Sequence, residues 1–219
     1  MKTCKKVYNK AYVLLLSLVA AGGYGFKLVH PTIGIDDTPY AYYFEEGLAA
    51  VVGRWVLFVM NKLVSLSDFA PFLTDFAAVL ILMSAVTVWG VLFYEVFGER
   101  IPRYGYWLFS CIFLSCPLIA EVFTYYLHNG IAIGYLSCGV SLYLLWRGLD
   151  GLAGRRGGQT FRNLAMSVVT MVIAMGCYES MMIVWLTGAM LLLLSERLAG
   201  VRRSVIKSLC LVAAVAVCG

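Results

Sequence analysis

Charge is what this sequence has least of. Only 13% of its 219 residues are charged, 62% are hydrophobic, and mean hydropathy is +0.85, whereas soluble domains are about half apolar. A water-soluble globular domain is excluded, and most of the surface faces lipid. Metal and redox signatures are missing too. Histidine occurs twice, and the seven cysteines, at positions 4, 111, 116, 138, 177, 210 and 218, show no C-x-x-C spacing. They read as small helix-packing residues. His128 has no second histidine beside it and is assigned no role. The long apolar stretches lack period-two alternation, which removes the membrane β-barrel. Backbone amides in lipid must then be satisfied within helices, so the fold class is all-α, a polytopic integral membrane helical bundle. Nor is there a nucleotide-sugar fold: the glycine-rich stretch 151–158 does not follow a strand and lacks the G-x-G-x-x-G order.

What is present is a series of charge-free cores at 11–26, 76–94, 104–120, 130–146, 163–178 and 180–195, with a seventh opening at Ser208. Each is near the length that crosses about 30 Å of hydrocarbon, so about seven transmembrane helices are expected. The first run resembles a signal-peptide core, but more membrane sequence follows it, and it reads as an anchor. The fifth and sixth cores are separated only by Glu179. One helix through both would overshoot the bilayer, so a hairpin is expected near 177–180. The chain is read as a single transmembrane domain over 1–219. Its end falls inside the seventh run, and a longer gene product is expected.

Threading the cores with the amino terminus in the cytoplasm leaves only Lys27, Arg54 and Lys62 of the 17 basic residues outside. The positive-inside rule therefore sets the orientation. It also accounts for the formal charge of +5 as topogenic, with no call for a nucleic-acid partner. Acidic residues contribute little to topology, yet Asp36, Asp37, Glu45, Glu46, Asp68, Asp75, Glu121 and Glu179 gather on or near the outer face. That excess points to a site.

The first extracytoplasmic loop, 30–70, carries the most of it. Asp36 and Asp37 are adjacent and follow Gly34, which lets the backbone turn. Two carboxylates at a membrane surface can hold a divalent cation such as Mg or Mn, or one can take a proton from a sugar hydroxyl while the other orients it. The same residues, in Asp-Asp-Thr-Pro, also suit a turn that caps a helix beginning at Pro39. Further on, Val52, Trp55, Val56, Val59 and Leu63 recur at spacings of three and four, with Arg54, Asn61, Lys62 and Ser65 largely opposite. That predicts a helix lying in the outer interface. Arg54, in Gly53-Arg54-Trp55, would stand at lipid-phosphate depth, where a guanidinium either clamps a lipid-linked phosphate or simply snorkels.

Beyond this loop, Glu121, Tyr125 and Tyr126 follow the third core and Tyr178 and Glu179 tip the fifth. Carboxyl and aromatic groups at one level can bind a sugar ring, although tyrosines also populate the aromatic belt. A carboxyl such as Glu179 between two apolar runs calls for water or a partner. Transporters and flippases also place acids on outer cavities, but they usually bind substrate at the bilayer midplane and show internal repeats. The cores here hold no midplane charge and no repeat.

The short basic head, one helix, Gly34-Ile35-Asp36-Asp37, a tyrosine-rich stretch and Gly53-Arg54-Trp55 together resemble the type-II glucosyl transferases of bacterial O-antigen modification. Cys177-Tyr178-Glu179-Ser180 resembles that family's outer-tip motif, with Glu179 where a glutamine is more usual. The resemblance implies a GT-C architecture and a donor sugar, glucose, carried on polyprenyl phosphate at the outer face of the bacterial cytoplasmic membrane. It implies a cell-surface glycan as acceptor, and a lipid-sugar synthase and a flippase upstream. Asp36 and Asp37 would be catalytic or hold the cation, Arg54 would bind the donor phosphate, and Glu121, Tyr178 and Glu179 would contact sugar.

Overall fold

Asn9 starts the first helix: its side-chain oxygen accepts from the Tyr12 amide at 3.1 Å, and α1 runs over Lys10–Val29. The computed structural model describes residues 7–30, 53–64, 71–122, 128–153, 157–198, 200 and 212–216. After α1 come α2 (Trp55–Val64), α3 (Pro71–Phe97), a 3-10 turn at Gly98–Arg100, α4 (Arg103–Leu114), α5 (Pro117–Val122), α6 (His128–Ala153), α7 (Gly157–Cys177) and α8 (Met181–Leu198). Residues 212–216 are again helical. No strand occurs among the described residues.

Five of these helices are long and apolar enough to cross a membrane: Lys10–Val29, Phe72–Arg100, Gly130–Gly151, Gly158–Cys177 and Met181–Leu198. Seven spans were expected. The core at 104–120 differs because it is broken at Ser115-Cys116-Pro117 into α4, 12 residues, and α5, 6 residues. Proline at 117 lacks the N–H that would continue the ladder. The freed backbone groups are satisfied locally and by a neighbour, as lipid demands. Ser115 N–H donates to the Cys111 carbonyl at 2.9 Å, Cys116 N–H to that of Phe113 at 3.3 Å, and the Tyr24 hydroxyl of α1 to that of Leu114 at 2.6 Å.

The helices alternate in direction. In α3 and α6, which run the same way, Trp89 Nε1 donates to the Tyr135 carbonyl at 3.0 Å and Glu95 pairs with Arg147 at 3.2 Å. Helix α7 runs back along α6, and α8 returns parallel to α6. Their junction is a buried polar knot. Ser141 Oγ donates to the Ser167 carbonyl at 2.8 Å, Ser167 Oγ to the Ser141 carbonyl at 2.9 Å, and Trp185 Nε1 to Ser141 Oγ at 2.9 Å. Close approach at small residues combined with interhelical hydrogen bonds is how helices associate without a hydrophobic drive. Helix α1 buries one stripe, Tyr12, Leu16, Ala20 and Tyr24, against α3 and α4, while Leu14, Leu18 and Phe26 are exposed for lipid.

The turn joining α7 to α8 occupies Tyr178, Glu179 and Ser180, the expected hairpin. The alternation places Lys10, Arg100, Arg103, Arg147, Arg162 and Arg197 toward one end of the bundle and the hairpin tip at the other.

Candidate functional site

The tip of the α7–α8 hairpin is where two separate stretches of sequence meet. Gly53 has φ +83°, a left-handed conformation that favours glycine, and it turns the chain into α2. Arg54 follows, its carbonyl accepting from the Phe58 amide at 3.1 Å as the helix begins. The helix is then seated on the bundle at two glycines. A Cβ at Gly176, one residue before the end of α7, would collide with the Trp55 indole and with Val56 Cγ2, and a Cβ at Gly130, near the start of α6, would fall 2.6 Å from Leu57 Cδ1. Val56 and Leu57 are accordingly buried, whereas Trp55 and Val59 are exposed. The expected apolar face is thus divided: Val56 turns to protein with Leu57, which the spacing did not place there, and Trp55 and Val59 remain for the interface. A helix on a bundle end has two apolar neighbours, protein and lipid, and periodicity alone does not distinguish them.

This seating delivers Arg54 to the hairpin. Its guanidinium carbon lies 4.0 Å from the centroid of the Tyr178 ring, a cation–π contact, and Nη2 is 3.9 Å from Glu179 Oε2. The latter is an ion pair too long to be a hydrogen bond. Arg54 is the enclosed member, its side chain 23% exposed against 65% for Glu179. Its Nε is buried and has no hydrogen-bond partner among the described residues. The arrangement is a cation held by its face against Tyr178 and paired by charge with Glu179.

Arg54, Tyr178 and Glu179 are therefore brought together. Asp36 and Asp37 lie outside the described residues. Glu121 is in the last turn of α5, with its side chain outside the described residues. Among the described residues no group of three or more His, Cys, Asp or Glu side chains is placed to hold a metal ion. Two features were not anticipated. One is the seat formed by Gly130 and Gly176, whose only sequence signal is glycine near the ends of apolar cores. The other is Asp75, a carboxyl buried at 3% exposure within the first turns of α3. Read from sequence, it was one of several outer acids.

Five helices of membrane-crossing length packed as one bundle define the class, a polytopic helical membrane protein, with a stacked arginine and a carboxylate at one end. The family follows from comparison: a family model described as glucosyl transferase GtrII matches residues 25–219. The chain belongs to that family. Comparisons with curated proteins and with solved structures give no match.

Proposed function

We propose that this protein transfers glucose from a polyprenyl-phosphate donor to a cell-surface glycan such as O-antigen, at the outer face of the bacterial cytoplasmic membrane and within a GT-C-like bundle. Membership of a glucosyl transferase family supports the transfer reaction. The observation that carries the donor assignment is the convergence of Arg54 with Tyr178 and Glu179 at the end of the bundle opposite the arginine-rich one. A lipid-linked phosphate lies at headgroup depth, where a guanidinium can take two of its oxygens.

The chemistry is direct displacement. The acceptor oxygen forms its bond to the anomeric carbon as the bond from that carbon to the phosphate oxygen breaks. The bonding pair leaves with the phosphate, and the hydroxyl proton passes to Asp36 or Asp37. A divalent cation on the same pair would lower the hydroxyl's hold on its proton, the alternative use of two adjacent carboxylates. Arg54 stabilises the charge that grows on the departing phosphate, and Tyr178 holds Arg54 flat. Glu121 is a further candidate for contact with sugar.

The transporter or flippase reading has one observation in its favour, the break between α4 and α5, since broken helices line many transport sites. Family membership places it second.

The test is transfer from synthetic polyprenyl-phosphate glucose in membranes holding the full-length protein, with Asp36→Asn, Asp37→Asn and Arg54→Gln compared at equal insertion. Loss of one aspartate is expected to reduce turnover by about 100-fold or more, the range for a removed general base. Undiminished transfer by both aspartate variants would relocate the chemistry. Absence of transfer by the wild type with any lipid-linked sugar would favour the transporter.

A further inference from the structure

Resting on the reading of Arg54 as a phosphate receptor, we infer that Glu179 makes this receptor selective for the charge of its ligand. It lowers the receptor's preference for a dianionic phosphomonoester over a monoanionic phosphodiester, so the spent lipid is released more readily. The reaction creates that distinction. A sugar joined to a lipid through phosphate is a diester with one negative charge. When the sugar leaves with the acceptor, the acceptor's proton goes to a carboxylate and the lipid keeps a monoester, whose charge near neutral pH is about −1.5 to −2. A lone arginine holds the more highly charged product more tightly than the donor, and the site would be slow to clear.

The geometry supplies a correction. Glu179 stands 3.9 Å from Arg54, too far to occupy its donors and close enough to offset its charge. The stacking of Tyr178 on the guanidinium face keeps Arg54 in place when Glu179 is not hydrogen-bonded to it. An incoming phosphate thus meets an Nη2 that Glu179 does not hydrogen-bond, in a pair whose net charge is zero. A monoanion is bound through its hydrogen bonds, and each further negative charge on the ligand meets the field of Glu179. Because Glu179 is 65% exposed, that field is close to its water-screened strength, about a threefold effect on affinity per ligand charge.

The experiment measures binding of two probes to the full-length protein in nanodiscs: a polyprenyl phosphate and its methyl ester, identical in chain length. Removing the charge with Glu179→Gln is expected to tighten the methyl ester about threefold and the monoester about tenfold, one factor per charge. Glu179→Asp, which retains the charge, is expected to keep the wild-type ratio of the two affinities. In the transfer assay, Glu179→Gln should show stronger inhibition by added polyprenyl phosphate. If Arg54→Gln weakens both probes but Glu179→Gln tightens both equally or neither, charge selection by Glu179 is wrong and the phosphate receptor stands. If Arg54→Gln leaves both affinities unchanged, the receptor reading itself fails.

Discussion

At Gly53 the backbone sits at φ +83°, where a side chain crowds the following carbonyl and costs about 1–2 kcal/mol. The residue has open space around it, so an added methyl meets nothing else. Gly53→Ala is therefore expected to leave the bundle's unfolding nearly intact while shifting the entry into α2 and the placement of Arg54. Gly53→Asn, better tolerated in this region, should retain more transfer than Gly53→Ala. Gly176 is the opposite case: its φ is ordinary, but the space its side chain would fill belongs to Trp55 and Val56. Gly176→Leu should lower thermal stability in detergent by about 1–3 kcal/mol and reduce donor binding together with it. A stable Gly176→Leu protein with full donor affinity would show that α2 need not be seated on α7 for the site to form.

Much at this scale was readable from the residues themselves. Glu179 stood out because it interrupts two apolar runs, and Arg54 because it is one of three basic residues outside the arginine-rich side. Their adjacency was not readable. It depends on two glycine contacts between segments distant in sequence, and no periodicity in either segment records the other. Nothing in the sequence separates Asp75 from the other outer acids, because a carboxyl one turn into a helix looks the same whether it faces water or packs inside.

Among the elements, the broken span at 104–122 shows that an apolar core of membrane-crossing length need not form one continuous helix. Proline is tolerated within membrane helices whenever a neighbour satisfies the released carbonyl, so Pro117 alone did not decide between a kink and a break. The carbonyl it releases, that of Phe113, accepts from the Cys116 amide, and another helix satisfies the next one: the Tyr24 hydroxyl donates to Leu114 at 2.6 Å. Tyr24→Phe removes that donor and leaves a carbonyl unsatisfied in the buried core. A loss of about 0.6–1.7 kcal/mol is expected, the range found for hydrogen bonds between membrane helices. Exchange of nearby amides, those of Ser115 and Cys116, should rise first. The Ser141–Ser167–Trp185 knot offers a comparison, because its two serines donate as well as accept and Trp185 donates to one of them, across three helices. A double-mutant cycle on Ser141→Ala and Ser167→Ala should show non-additivity, since the two hydroxyls lie 3.1 Å apart and each donates to the other residue's carbonyl.

For the whole molecule, the question that links fold to chemistry is which end faces out. Direction alternates along the described helices, so one accessible residue at each end fixes the rest. The end bearing Lys10, Arg100, Arg103, Arg147, Arg162 and Arg197 belongs in the cytoplasm if the positive-inside rule governs insertion. The hairpin tip then faces out, which is where the proposed reaction needs Arg54 to meet a flipped lipid-linked sugar and a surface glycan. Ser180 at that tip and Gln159 at the start of α7 are both exposed, which makes them suitable reporters. With the native cysteines replaced, Ser180→Cys is expected to react with a membrane-impermeant maleimide in intact cells, and Gln159→Cys only after permeabilisation. The reverse pattern would place Arg54, Tyr178 and Glu179 in the cytoplasm. The acceptor would then have to be a glycan precursor still under assembly inside the cell, and the donor would need no flipping.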